Sequence, residues 1–195
     1  MGEMYFIADT HFGHKNALEY DNRPFSSVDE NDETIKTRWN ETVGLDDDIY
    51  ILGDFSWYNS STTVEILKSL NGIKHLIVGN HDGRILKNPD VQKQFVEITP
   101  YKEIRYDDAN QIVLCHYPMV TFKNHYRGWF HFYGHVHNSW EWKMVEDFKK
   151  QMTDGGKLLN MHNVGCMMPW MNYTPRTAKE IIAMDKRYST SEIVR

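Results

Sequence analysis

Residues 73–82 read IKHLIVGNHD. Ile73–Val78 is a short, largely apolar run with β-branched residues, which marks a strand, and Gly79 ends it. Where the strand stops, the chain presents Asn80, His81 and Asp82, side chains able to bind a cation or move a proton. The arrangement recurs outward in both directions. Met4–Ala8 ends at Asp9, with His11 close behind, and Asp48–Leu52 ends at Gly53–Asp54. Gln111–Cys115 ends at His116, and Phe130–Tyr133 ends at Gly134–His135, with His137 following. In open α/β sheets, ligands bind in the crevice beyond the carboxyl ends of the strands. Packing alone gives no reason for each strand to deliver Asp, Asn or His there.

Helices fall between the early strands. Thr62–Leu70 places Val64, Leu67 and Leu70 at three-residue steps and stops at Asn71–Gly72. Val28–Val43 shows helical spacing only in its later turns, at Ile35, Trp39 and Val43. This alternation predicts helices packed on a sheet with parallel pairings. The second half reads as richer in strands. Phe95–Ile98, Glu103–Tyr106 and Leu158–Val164 are extended candidates, residues 107–110 form a turn, and Arg176–Lys186 is the last helix. No Gly/Ser/Pro-rich linker occurs, and both halves contribute ligand-type residues. The expectation is one α/β domain over residues 1–195.

Composition narrows the function classes. The 195 residues are 41% hydrophobic and 25% charged, which excludes disordered and fibrous chains. No apolar run is long enough to cross a membrane as a helix. Met1–Ile7 lacks the basic and long apolar regions of a secretory leader. The 2 cysteines, Cys115 and Cys166, are too few for a disulfide framework, so a reducing cytoplasm is the expected compartment. A net charge of −5 argues against a stable nucleic-acid partner held by bulk electrostatics. Against this background the 10 histidines stand out.

Asp9 and His11 are two apart, as are His135 and His137. In an extended chain such residues point to the same side, so each pair is expected to converge on one ion. Imidazole, carboxylate and amide oxygen together suit Mn, Fe, Zn, Co or Ni better than Ca or Mg. The donors are too many for one tetrahedral site. They suit two ions, about 3.5–4 Å apart and bridged by one carboxylate, a centre for phosphate ester hydrolysis.

The ordered blocks Asp9-Thr10-His11, Gly53-Asp54, Gly79-Asn80-His81-Asp82, His116 and Gly134-His135-Val136-His137 resemble the calcineurin-like metallophosphoesterases. DTHFGHKN near the N-terminus, CHYP around His116, and NVG followed by NY-x-P resemble a compact bacterial and phage branch of that superfamily. The resemblance implies an α-β-β-α sandwich of two mixed sheets with flanking helices. It implies that Asp9, His11 and His137 hold one divalent transition-metal ion and that Asn80, His116 and His135 hold a second. Asp54 would bridge the two. Mn is the leading candidate, with Fe, Zn, Ni or Co as alternatives. A bridging hydroxide would attack phosphorus while His81, oriented by Asp82, serves the leaving group; His14 is a second candidate proton donor. Phe55 after Gly53-Asp54 departs from many relatives and weighs against phosphoprotein phosphatase activity.

The expected substrate is a small phosphate ester or nucleotide, more in keeping with a phosphodiesterase than a monoesterase. The competing readings are a metal-binding scaffold for a protein partner and a nuclease subunit. Other residues carry plainer expectations. Cys115 and Cys166 read as buried, inert thiols. His75, His125, His131 and His162 read as solvent-facing or hydrogen-bonded, and Trp140, Trp142 and Trp170 read as packing. Arg23 either reaches phosphate or pairs with a carboxylate. Residues 123–129 interleave basic and aromatic side chains, either to grip a nucleotide or as a solvated loop over two buried aromatics.

Overall fold

The computed structural model describes residues 2–190. The first half runs β1 (Met4–Ile7), α1 (Lys15–Tyr20), α2 (Val28–Thr42), β2 (Asp48–Ile51), α3 (Ser60–Ser69), β3 (Ile73–Ile77), α4 (Gly83–Leu86), α5 (Pro89–Gln92) and β4 (Glu97–Thr99). The second half runs β5 (Tyr101–Arg105), β6 (Gln111–Cys115), β7 (Phe130–Tyr133), α6 (Trp140–Asp154), β8 (Asn160–Asn163), β9 (Arg176–Thr177) and α7 (Ala178–Thr190).

Two mixed sheets result, with helices flanking them. One has the order β4-β3-β2-β1-β9, the other β5-β6-β7-β8. Strands β1 to β4 pair in parallel and β9 closes the edge antiparallel to β1. In the second sheet β5 is antiparallel to β6, while β6, β7 and β8 are parallel. The parallel strands are buried on both faces: Phe6, Ile7, Ile49, Ile51, Leu76 and Ile77 are all solvent-excluded. Phe6 of β1 meets Phe132 of β7 edge-on at 5.0 Å, so the two sheets share one core. The sheets are also joined just past their strand ends. The Ala8 N–H donates to the Val164 carbonyl at 2.8 Å, and the Cys166 N–H donates to the Ala8 carbonyl at 2.8 Å. This seam sets the ends of β1, β2 and β3 beside those of β6 and β7.

Strand boundaries agree with the apolar runs to within a few residues. The helices differ more. Helix α2 starts at Val28, capped by the Ser27 hydroxyl, which accepts from the Glu30 N–H. Its buried early positions are Asn31 and Asp32, polar residues that hide the helical period from a hydrophobic count. Helix α6 is absent from the sequence expectation. Ser139 caps it, Val145 is its one buried residue, and Trp142, Phe148 and Met152 are partly buried against Val113, Tyr133 and Met161. Trp140 is 67% exposed and is not a packing residue; Trp170 is buried and donates its indole N–H to the Asn163 carbonyl. The expected helix from Arg176 begins two residues later, because Arg176 and Thr177 pair with β1.

The four histidines without motif partners are hydrogen-bonded. His75 joins Asp48 and Glu97, and His125 faces the Phe122 carbonyl. His131 is fully buried between the Val113 carbonyl and the Met119 N–H. His162 bonds to Asp185. Burial alone would raise the Asp185 carboxyl, but His162 and Lys149 outweigh it and hold it below its ordinary value. Both cysteines are free thiols. Cys115 is half-buried and Cys166 buried, and burial raises both, Cys166 to about 12, so neither is poised as a thiolate. No helix among the described residues is long and apolar enough to cross a membrane.

Candidate metal centre

Every predicted ligand sits just past a strand, and five of the seven are on left-handed, not extended, backbone. Asp9, His11, Asp54, His135 and His137 all have left-handed φ, between 49° and 67°. The pairs two apart therefore converge through turns, not through strand pleating as their spacing suggested. Left-handed non-glycine residues cost on the order of 1–3 kcal/mol each, and such strain gathers at functional sites. The turns are held by mutual backbone bonds: Asp9 N–H donates to the Gly53 carbonyl, His11 N–H to the Asp54 carbonyl and Phe12 N–H to the Phe55 carbonyl.

Two clusters form. Ligand atoms of Asp9, His11 and His137 lie within 4.8 Å of one another, as do those of Asp54, His116 and His135. Asn80 joins the second cluster, its Oδ1 lying 2.9 Å from His116 Nε2 and 2.8 Å from His135 Nδ1. Asp54 Oδ2 stands between the clusters, 3.5 Å from His116 Nε2 and 4.0 Å from His11 Nε2. Its other oxygen accepts the His81 N–H at 2.8 Å.

The surrounding hydrogen bonds fix which imidazole nitrogens face the clusters. His116 Nδ1 donates to the Leu52 carbonyl at 2.7 Å, leaving Nε2 turned inward. His137 Nδ1 donates to Asp21 at 2.5 Å, leaving its Nε2 3.1 Å from His11 Nε2 and 3.6 Å from Asp9. A carboxylate behind a ligand histidine is a recurrent means of orienting it. Arg23 locks Asp21 in turn and also donates to the carbonyls of Asp9 and Thr10. Arg23 is 5% exposed, so of its two expected roles it takes the carboxylate pairing. Asp21 was not among the sequence candidates. It lies far from His137 in sequence, and nothing in its local pattern marks it.

Asp82 departs from its expected partnership with the His81 ring. Its buried carboxylate accepts backbone N–H bonds from Gly79, Asp54 and Phe55 at 2.8–3.0 Å. It ties the turn that carries Asn80 to the turn that carries Asp54 instead of orienting an imidazole.

The donor set fits divalent cations. His116 Nε2 and Asn80 Oδ1 face each other at 2.9 Å, and His11 Nε2 and His137 Nε2 at 3.1 Å, so each cluster gathers nitrogen and oxygen donors around a point that a cation can occupy. The electrostatics agree. Burial lowers His116, yet its bond to Asp54 and the charges of Asp9 and Asp54 push it up to about 9. The centre therefore stabilises added positive charge. Burial, followed by the charges of His137 and Arg23, holds His11 well below its ordinary value, so it is neutral and able to ligate.

Close backbone approach makes glycine necessary at two of these turns. A Cβ on Gly79 would lie 2.4 Å from Asp54 Oδ1, and one on Gly134 would lie 2.4 Å from Asp9 Oδ2 and 2.7 Å from Ala8 Cβ. Gly134→Ala is expected to displace the Asp9 carboxylate and cost about 1–3 kcal/mol of stability by overpacking. Elemental analysis and thermal melting would show metal loss with a lowered Tm; full metal retention would disprove the steric argument.

A cavity of about 230 Å³ opens over the clusters, lined in part by His11, His14, Asp54, His81, His135 and His137. The His81 side chain is 48% exposed, with Nε2 4.0 Å from Asp54. His14 stacks on Trp57 at 3.9 Å with rings nearly parallel. Residues 123–129 divide differently from expectation: Trp129 is buried beneath Lys123, whereas Tyr126 is exposed beside Arg127.

Comparison with known proteins places this geometry. Residues 4–177 match the calcineurin-like phosphoesterase family. An uncharacterized protein of Methanocaldococcus jannaschii, MJ1445, is 31% identical over 163 residues, covering 82% of this chain and 85% of that protein. The Gene 66 protein of Mycobacterium phage L5 is 34% identical over 136 residues, covering 62% of this chain and 65% of its own. Among solved structures, the protein of unknown function AQ665 from Aquifex aeolicus is similar with a TM-score of 0.70 and 27% identity, covering 94% of this chain and 100% of that one. With the match spanning every strand from β1 to β9, the chain belongs to the calcineurin-like phosphoesterases.

Proposed function

We propose that this hydrolase of phosphoester bonds works at a pair of divalent transition-metal ions, Mn foremost and Fe, Zn, Ni or Co as alternatives. Its expected substrates are nucleotides or small phosphodiesters. The observation that carries the reading is the position of Asp54, with one carboxylate oxygen within 4.0 Å of a ligand nitrogen from each cluster. Asp9, His11 and His137 would hold one ion, Asn80, His116 and His135 the other, with Asp54 shared. When bound, such a pair neutralises phosphoryl oxygens and lowers the pKa of water to supply the nucleophile.

The chain's own groups then have separable tasks. Asp21 and Leu52 hold His137 and His116 in the tautomers that present Nε2. His81, exposed at the cavity, is placed to hydrogen-bond the phosphate or protonate the leaving oxygen. His14, on the Trp57 face, is the second candidate for that proton. Asn80 contributes an oxygen without a formal charge, which limits repulsion of an anionic substrate.

The test is turnover of bis-p-nitrophenyl phosphate, p-nitrophenyl phosphate and cyclic nucleotides by protein reconstituted with Mn, Ni, Co or Zn. The expected result is metal-dependent hydrolysis with the diester preferred. A complete lack of turnover with all four metals would favour the scaffold reading. The filled ligand set favours an enzyme over a scaffold. The −5 charge weighs against a nuclease subunit and any stable nucleic-acid partner.

A further inference from the structure

A second cavity, about 180 Å³, adjoins the metal centre and is lined by Ser56, Trp57, His81 and Arg84. Trp57 and His81 also line the cavity over the metal clusters, so the two spaces meet at these residues. Arg84 follows the metal-bearing turn after β3. Its Nη1 donates to the Trp57 carbonyl at 2.7 Å, which fixes the guanidinium at the pocket wall. Arg84 is solvent-exposed, and among the described residues no carboxylate lies within ion-pair distance of it, so its charge is held by no protein counter-ion. A guanidinium has five N–H donors, and the carbonyl anchor leaves most of them to a ligand. Three features thus coincide beside His81: space, a fixed cation and a polar wall.

We propose that this pocket is the leaving-group subsite and that it takes an alcohol bearing a phosphate. The inference rests on the phosphodiesterase reading above and narrows its substrate class. In the hydrolysis, the oxygen of water bonds to phosphorus, the bond from phosphorus to the alcohol oxygen breaks, and a proton of the water ends on that alcohol. The departing alcohol passes His81 into the second cavity, where Arg84 pairs with its phosphate. The volume corresponds to about six waters at ~30 Å³ each, room for a phosphate and part of a sugar.

Binding and turnover test this separately. Metal-free protein would be titrated with thymidine 3′-phosphate and with thymidine, following tryptophan fluorescence. The expected result is saturable quenching by the phosphate, about tenfold weaker for thymidine and for Arg84→Ala, as loss of a charge-assisted hydrogen bond predicts. Arg84→Lys should retain part of the affinity, and Trp57→Phe should remove the signal. With Mn-loaded enzyme, the thymidine dinucleotide carrying a 3′-phosphate should exceed the dinucleotide without it by about tenfold in kcat/KM, and the ratio should fall toward one in Arg84→Ala. Equal binding of thymidine and its phosphate, or a preference that survives Arg84→Ala, would overturn the subsite and leave the phosphodiesterase reading standing. No turnover of any ester would overturn that reading, and with it the pocket's role. The metal-free titration tells the two failures apart.

Discussion

Asp54→Asn is expected to lower turnover by on the order of 10³-fold and to strip at least one metal, the largest catalytic effect of any single exchange here. Metal-ion catalysis stabilises the transition state by several kcal/mol, and each ~1.4 kcal/mol is tenfold in rate. The geometry dictates why so small a change costs so much. Asp54 Oδ1 must accept the His81 N–H at 2.8 Å. The asparagine oxygen is therefore held there, and its NH2 is turned toward His116, His11 and His81. A donor replaces the oxygen that faces a ligand-type nitrogen of each cluster, and a full negative charge is lost. Burial alone would raise the Asp54 carboxyl, but its bond with His116 and that residue's charge hold it below the ordinary value, so the ionised form is the one lost. Elemental analysis of purified variant and wild type, paired with kcat on bis-p-nitrophenyl phosphate, checks both halves. An Asp54→Asn protein retaining two equivalents of metal would remove Asp54 from its proposed shared position.

The candidate ligands were legible because each sits close to where an apolar strand ends, and strand ends are written in short runs of Ile, Val, Leu and Phe, three of them closed by Gly53, Gly79 and Gly134. What supports the ligands was less legible. Asp21 reaches His137 only after the two sheets meet, and a contact between such distant positions has no local period. The early turns of α2 show a related effect. Asn31 and Asp32 are buried because they serve the polar loop: Asn31 accepts from Arg23, and Asp32 accepts the Gly13 N–H at 2.9 Å. A hydrophobic pattern reads such positions as solvent-facing, so helical spacing shows only in the later turns. Helix α6 was hidden for the opposite reason. Its inner stripe of Trp142, Val145, Phe148 and Met152 does repeat at helical spacing, but exposed Trp140 and Met144 interrupt the contrast between its faces. The left-handed turns at Asp9 and His135 carry no sequence mark, since aspartate and histidine tolerate that conformation without requiring it.

Asp82→Ala is expected to be the most destabilising exchange at this edge, costing about 3–5 kcal/mol, because it leaves three buried backbone N–H groups without acceptors. That is a large fraction of the ~5–15 kcal/mol that holds a typical domain folded. The side chain is 1% exposed, so bulk water does not replace the carboxylate. The three bonds also connect separate segments: Gly79 follows β3, while Asp54 and Phe55 follow β2. Losing them lets the turn that carries Asn80 part from the turn that carries Asp54, so metal affinity should fall along with stability. This outcome separates two roles. An Asp82 that only oriented His81 would, when replaced, slow turnover while leaving the unfolding midpoint and metal content as they were. An Asp82 that ties the turns together lowers all three. Asp82→Asn sharpens the contrast, since its one oxygen can serve only one side of the trio and its NH2 opposes an N–H on the other; it should fall between wild type and alanine in stability. Urea denaturation with and without Mn measures the loss, and an alanine variant as stable as wild type would sink the tie between the turns.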